Sequence, residues 1–243
     1  MRVLFFLSEV FAMKILKKIT AYFTKTELAL CASSILLITA SFLLFDRSNH
    51  LTLIASLIGV ISILFNAKGN PAGQFLMILF SLLYGYISYT FSYYGEMITY
   101  LGMTMPMALF ALISWLRHPY KGRHSEVEVG QVCTAEILFM SLSALIVTVL
   151  FYFLLSFFHT ANLIPSTLSV TTSYVAVYLT FRRSPCFSVA YALNDIVLIV
   201  LWILASLEDS KYISVVVCFV AFLFNDSYCF ASWKAMAKRQ RPT

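Results

Sequence analysis

The chain of 243 residues is 60% hydrophobic, 16% aromatic and only 12% charged, with a mean hydropathy of +0.86. An average soluble domain carries about 25% charged residues, so this composition excludes a soluble globule and a large soluble catalytic domain. It is also too apolar for disorder. A membrane span consumes about 20 residues, so seven or eight of them take up nearly the whole length. The net charge of +6 fits basic membrane-flanking loops and does not imply nucleic acid.

In chain order, residues 1–27 form a basic leader carrying Arg2, Lys14, Lys17, Lys18 and Lys25. Its short apolar run, Val3 to Leu7, has no small-residue cleavage site before Met13-Lys14. A cytoplasmic segment on the membrane surface is therefore expected in place of a signal peptide. Apolar runs bounded by Gly, Pro, Asn and charges predict eight helices near 28–45, 51–66, 75–94, 97–116, 133–158, 161–181, 187–207 and 211–233. Gly95-Glu96 separates the third and fourth and is read as a tight hairpin. The stretch Asn66 to Pro71 has turn chemistry. With eight spans, 15 of the 17 Lys and Arg residues fall on one side, leaving only Arg47 and Lys211 on the other. The positive-inside rule then puts both termini in the cytoplasm.

Spans two to four and six to eight read as two copies of one unit. Each copy starts with a Ser-containing span (Ser56 and Ser62; Ser166 and Ser173) and continues through a basic turn (Lys68; Arg182-Arg183). An aromatic-rich span then runs to an acidic outer turn (Glu96; Glu208-Asp209). The third span ends in Ser-Trp and a cation, at Ser114-Trp115 before Arg117 and at Ser232-Trp233 before Lys234. Span five lies between the copies, so both run the same way through the membrane. Parallel repeats of this kind place a solute site near the midplane where they meet. The organisation expected is a leader at 1–27, an extra helix at 28–50, a first repeat at 51–117, a loop and linker helix at 118–160, a second repeat at 161–234 and a basic tail at 235–243.

Unpaired polar groups inside spans are costly, so each needs a reason. Two dipeptides dominate: Asn194-Asp195 in span seven and Asn225-Asp226 in span eight. Asp195 and Trp202 are seven apart and share a helix face, while Asn225, Tyr228, Cys229 and Ser232 make a polar-aromatic stripe. Such groups suit a hydrogen-bonding, ring-containing solute: amides and carboxylates meet hydroxyls, and aromatic faces stack on a flat ring. The competing reading is interhelical glue, with the aspartates paired to Arg182, Arg183 or Lys234. Glu96 and Tyr84 are candidate gates; Gln74, Glu136 and His159 sit near span ends, and Tyr86 and Tyr89 suit an interfacial belt. The five cysteines, Cys31, Cys133, Cys186, Cys218 and Cys229, read as small buried hydrophobes without C-x-x-C spacing. No phosphate loop, zinc-protease motif or nucleophile elbow occurs. No cofactor, metal or catalytic residue is expected, and the chain is read as a non-enzyme.

At these residues the sequence resembles the PnuC family of nicotinamide riboside transporters. Three stretches carry the resemblance: Tyr94-Gly95-Glu96-Met97-Ile98 with Pro106-Met107 and Trp115; Asn194 to Ile199 through Trp202; and Asn225-Asp226-Ser227-Tyr228-Cys229-Phe230-Ala231-Ser232-Trp233. It implies an all-α membrane protein with a 3+1+3 SWEET-like core of two parallel three-helix repeats after an extra N-terminal helix. It also implies a homotrimer in a bacterial cell membrane. The cargo would be nicotinamide riboside, imported by facilitated diffusion and trapped by a cytoplasmic kinase. Asn194 and Asn225 match polar positions around the family's substrate; Trp202 and Tyr228 would pack or stack on it, with Asp195 and Asp226 in support. The first-repeat counterparts are Phe80 and Ala108 where relatives carry amides, so thiamine, riboflavin or a deoxynucleoside are the alternative cargoes. The rival mechanisms are a proton-coupled symporter using Asp195, Asp226 or Glu96, and a membrane enzyme using the aspartates.

Overall fold

Helix starts follow the local capping chemistry. Thr24 and Glu27 form a reciprocal box, with Glu27 N donating to Thr24 Oγ1 at 3.2 Å and Thr24 N to Glu27 Oε2 at 2.7 Å. This box opens α1 (Lys25–Phe45). Asn49 accepts from Thr52 N and opens α2 (His50–Ala67). The computed structural model describes residues 21–47, 49–90, 93–160 and 162–241. The leader expected at 1–27 lies outside the described residues up to position 20.

The remaining elements are α3 (Ala72–Thr90), α4 (Tyr94–Thr99), a π-helical turn (Tyr100–Thr104) and α5 (Met105–Arg117). A small antiparallel hairpin, β1 (Pro119–Tyr120) and β2 (Arg123–Val127), follows. Then come α6 (Thr134–Phe157), α7 (Leu163–Phe181), α8 (Phe187–Ser206), a 3-10 turn at Ser210–Tyr212 and α9 (Ile213–Gln240). Segments α4 and α5 are one span joined through the π turn. Pro106 has no N–H to give, and Met105 N reaches Tyr100 O instead, so the extra residue is absorbed as a bulge.

Seven of the spans are long and apolar enough to cross a membrane. The eighth, α7, is diluted by hydroxyl side chains. Those of Thr167, Thr171 and Thr180 donate to carbonyls one turn back, which removes their need for water. The eight predicted helices are therefore present, with two local corrections. Gly95 and Glu96 lie in the first turn of α4, not in the hairpin before it. The loop expected at the start of 118–160 contains the β-hairpin.

The third helix of each repeat packs on the first helix of the other, α5 on α7 and α9 on α2. The Ser-Trp pairs explain why. Trp115 Nε1 donates to Thr180 O at 2.9 Å and Ser114 Oγ to Phe181 O at 3.0 Å. Trp233 Nε1 donates to Asn66 O at 2.7 Å and Ser232 Oγ to Ala67 O at 2.7 Å. Each pair thus satisfies the last carbonyls of the opposite repeat's first helix, groups that a helix C-terminus leaves without partners. The two indoles meet at 5.4 Å between ring centroids. The turns beyond those helices also match: Gly69 (φ 64) and Arg183 (φ 57) both take the left-handed conformation. The segment from β2 onward bridges the two turns, with Val127 N donating to Gly69 O at 2.8 Å and Gly130 N to Arg183 O at 3.0 Å.

Helices α1 and α6 stand outside this six-helix core. Helix α6 leans on α7 and leaves most of its apolar side chains exposed, Ile146 and Phe153 among them. Helix α1 packs on α9 and α2. The cysteine reading is corrected in part: Cys218 and Cys229 are buried, but Cys133 and Cys186 are exposed. Both lie at helix starts on the end of the bundle that carries the basic loops.

Candidate functional site

Between the two repeats, midway along the helices, lies a small cavity to which all six core helices contribute. Gly59, Ile63 and Asn66 come from α2, and Met77 and Phe80 from α3. Tyr100 and Thr104 come from the π turn, and Ser173 from α7. Helix α8 adds Tyr191, Asn194 and Asp195, and α9 adds Phe219, Phe222 and Asp226. Neither α1 nor α6 reaches it. Tyr100 and Thr104, four positions apart in the π turn, both face the cavity.

The geometry is tight. Its free volume is about 40 Å³; each water needs about 10–15 Å³, so a few waters fit, whereas a drug-sized ligand calls for roughly 300 Å³ or more. The conformation is closed, and a solute enters only if the helices part. Toward the end opposite the basic loops, aromatic rings seal the cavity. Tyr84 lies 4.5 Å from Tyr100, and Trp202 lies 5.2 Å from Tyr93 and 5.5 Å from Tyr212 between ring centroids. Toward the basic end, Trp115, Phe187 and Trp233 form the floor, with Phe187 4.9 Å from Trp233. Gly59 allows the Phe222 ring to lie against α2, since a Cβ there would stand 2.3 Å from Phe222 Cζ.

Four of the predicted polar residues divide sharply by helix face. Asn194 lines the cavity, and its Oδ1 accepts from Thr172 Oγ1 at 2.7 Å and Ser173 Oγ at 3.0 Å. With the oxygen occupied, the amide nitrogen is the end left to donate to a ligand. Asp195 and Asp226 also line the cavity, side by side from neighbouring helices. They do not pair with Arg182, Arg183 or Lys234. Arg182 pairs with Glu136 at 2.5 Å, in a bridge at the start of α6.

Asn225, by contrast, points away from the cavity toward α1. Its Nδ2 donates to Ser34 Oγ at 2.8 Å and to Ala221 O at 2.7 Å. Tyr228 follows it one turn on, and its hydroxyl donates to Glu27 Oε1 at 3.1 Å. Glu27 is 2% exposed and also pairs with Lys68 at 3.0 Å. Asn225 and Tyr228 are thus the seat of the added first helix, while Ser232 of the same stripe bonds Ala67 O on α2. The candidate gates also separate. Tyr84 sits in the aromatic seal. Glu96 is buried near the far end of α7, accepting from Ser169 Oγ at 3.4 Å, with Oε2 lacking a protein partner. Trp202 belongs to the seal and not to the cavity wall. Gln74 is buried, donating to Asn66 Oδ1 at 2.8 Å, which closes the first-repeat turn.

Sequence reasoning passed over Tyr100, Thr104, Ser173, Tyr191, Phe219 and Phe222 as wall residues. Aromatic and hydroxyl residues are too common in these spans to stand out, and only the π turn had a sequence mark, Gly102 ahead of Pro106. Among the described residues, no group of three or more His, Cys, Asp or Glu is placed to hold a metal.

The chain was compared with known proteins. The sequence model of the family described as nicotinamide mononucleotide transporter matches residues 49–235, a stretch that starts at the cap of α2 and omits α1. A curated relative, the nicotinamide riboside transporter PnuC of Neisseria mucosa, is 25% identical over 207 residues, spanning 83% of this chain and 78% of the relative. A solved structure described as the vitamin B3 transporter PnuC superposes with a TM-score of 0.78 at 22% identity, covering 90% of this chain and 94% of the other. The six-helix core, its midplane cavity and these matches together make the chain a member of the nicotinamide mononucleotide transporter family, the PnuC-type multi-pass membrane transporters.

Proposed function

We infer that the protein carries nicotinamide riboside, the unphosphorylated nucleoside, across a bacterial cell membrane. One observation carries the choice: the cavity is lined by Asp195 and Asp226 and by no Lys, Arg or His. Phosphate recognition in a buried site calls for Arg, Lys or a helix N-terminus. Two carboxyl groups repel a phosphate, so the mononucleotide is the poorer cargo. Asn194 supplies a donor for the ribose hydroxyls, and Phe80, Tyr100, Tyr191 and Phe222 supply faces for the ring.

No nucleotide-hydrolysing motif is present in the sequence, and a closed midplane cavity between two repeats suits alternating access. Transport is by facilitated diffusion, with both termini and the basic loops in the cytoplasm. A cytoplasmic kinase then traps the cargo by adding charge. The core acts within a homotrimer, Tyr84 and Glu96 guard the outer approach, and the protein performs no catalysis itself.

The test is uptake into empty vesicles by purified protein, offering nicotinamide riboside, its mononucleotide, thiamine, riboflavin and thymidine. Nicotinamide riboside should equilibrate to the external concentration and no further, and the mononucleotide should not enter. Preferred uptake of another solute would reassign the cargo. The facing Asp195–Asp226 pair favours proton coupling as the second reading. Accumulation above the external level under an imposed pH gradient would establish it over diffusion.

A further inference from the structure

The Asp195–Asp226 pair is more than polar lining. The two carboxyls come from neighbouring helices of one repeat, α8 and α9, and meet at the cavity wall. Asp195 is 3% exposed, and its Oδ2 has no protein partner. The titratable groups facing the pair are Tyr100 from the π turn, Tyr191 from α8, and Cys218 and Cys229 from α9. All of these are neutral or acidic. The cavity residues from α2, α3 and α7 are Gly59, Ile63, Asn66, Met77, Phe80 and Ser173, none of them ionisable. Among the described residues the pair therefore has no cation from any element packed against it, although a buried carboxylate ordinarily requires one.

The pseudo-symmetry sharpens the point. Phe80 and Asn194 stand 114 positions apart, the same offset that relates Gly69 to Arg183 in the turns. By that offset Ser81 is the counterpart of Asp195, and by the offset of the two tryptophans Ala108, expected opposite Asn225, is instead the counterpart of Asp226. Negative charge is concentrated on the second repeat's wall, while the first repeat presents Phe80 and Tyr100 opposite it. A flat ring between these walls meets aromatic faces on one side and carboxyls on the other.

We propose that the Asp195–Asp226 pair is the counter-charge for a cationic aromatic ring and sets the selectivity of the site for positively charged cargo. This rests on the reading of nicotinamide riboside as cargo, whose pyridinium ring carries a fixed positive charge. An aromatic cage with an unpaired carboxyl attracts such a ring both by Coulomb and by cation–π interaction. The pair thus separates the charged riboside from uncharged nucleosides of the same size. It also leaves the empty carrier with a polar defect that cargo repairs.

The decisive comparison is nicotinamide riboside against its two-electron-reduced dihydro form, which keeps the sugar, the amide and the ring size but is uncharged. Equilibrium binding of both to the purified full chain should favour the charged form by about tenfold or more. Asp195→Asn and Asp226→Asn should bring the two forms within about twofold of each other, chiefly by weakening the charged one. Equal binding of both forms by the unaltered protein overturns the inference while leaving the cargo reading intact. Retention of the tenfold preference in both variants also overturns it. Failure of the unaltered protein to bind either form overturns the cargo reading itself. The comparison on unaltered protein stands even if a variant does not fold.

Discussion

Replacing Trp233 by Phe removes one indole N–H, the donor to Asn66 O at 2.7 Å. The ring stays in place of its larger parent, which is fully buried. Asn66 O is then left at a helix end without that donor. Asn66 O keeps its bond from Gly69 N at 2.9 Å, so the loss is one hydrogen bond, about 0.6 kcal/mol on average in membrane interiors. The lost ring volume adds to this. The substitution should therefore destabilise the protein by about 1–2 kcal/mol. For a chain of this size that corresponds to roughly 2–8 °C of melting temperature. Trp115→Phe should cost the same within about 1 kcal/mol, because it removes the equivalent donor to Thr180 O at 2.9 Å. The double variant should deviate from additivity, since the two indoles touch. Thermal unfolding of purified protein in one detergent, followed by intrinsic fluorescence from the remaining tryptophans, measures all three. If Trp233→Phe melts with the parent protein, or if the two single variants differ several-fold, the crossed straps are not what ties the repeats together.

Four further outcomes follow from the geometry. Asn194→Ala leaves the Thr172 and Ser173 hydroxyls without their shared acceptor and removes the cavity's donor, so binding of nicotinamide riboside should weaken at least about tenfold; calorimetric titration reads this. Asn225→Ala removes the bond to Ser34 on α1, so it should cost about 1 kcal/mol of stability while vesicle uptake persists; abolished uptake in a folded variant would return Asn225 to the substrate site. Glu27→Gln removes the charge opposite Lys68 and disturbs the bond from Tyr228, costing about 1–3 kcal/mol, and Lys68→Met in the same chain should recover part of the loss on a melting curve. Gly59→Ala places a Cβ 2.3 Å from Phe222 Cζ and should push that ring into the cavity, lowering uptake; Phe222→Leu in the same chain should restore it.

The apolar spans were legible in the sequence, because they depend on composition over tens of residues. The Ser-Trp-cation endings at 114–117 and 232–234 make matching bonds in the structure. What those endings do, cap the other repeat's first helix, depends on which helices cross, and no one-dimensional pattern specifies that. The Asn-Asp dipeptides show the same division at finer scale. Adjacent residues on a helix differ by about 100° in direction, so neighbours such as Asn225 and Asp226 can face different surfaces. Asp226 turned to the cavity and Asn225 to α1. In α8 both Asn194 and Asp195 reach the cavity wall. Heptad spacing gave Asp195 and Trp202 a common face, but seven residues are about 10 Å of rise. That distance separates the polar wall from the aromatic seal.

By itself the sequence determined that the chain lives in a bilayer, how often it crosses, and which residues are too costly to bury without purpose. A shortage of charge makes each remaining polar group informative, and the average hydropathy of a span is a local property. The tertiary structure decided which of those groups meet. It joined Asp195 to Asp226 without a cation, gave Asn225 and Tyr228 to the first helix, and brought Tyr100 and Thr104 to the cavity through the π turn. Those outcomes depend on helix rotation and crossing, which are set by contacts between residues more than a hundred positions apart in the chain.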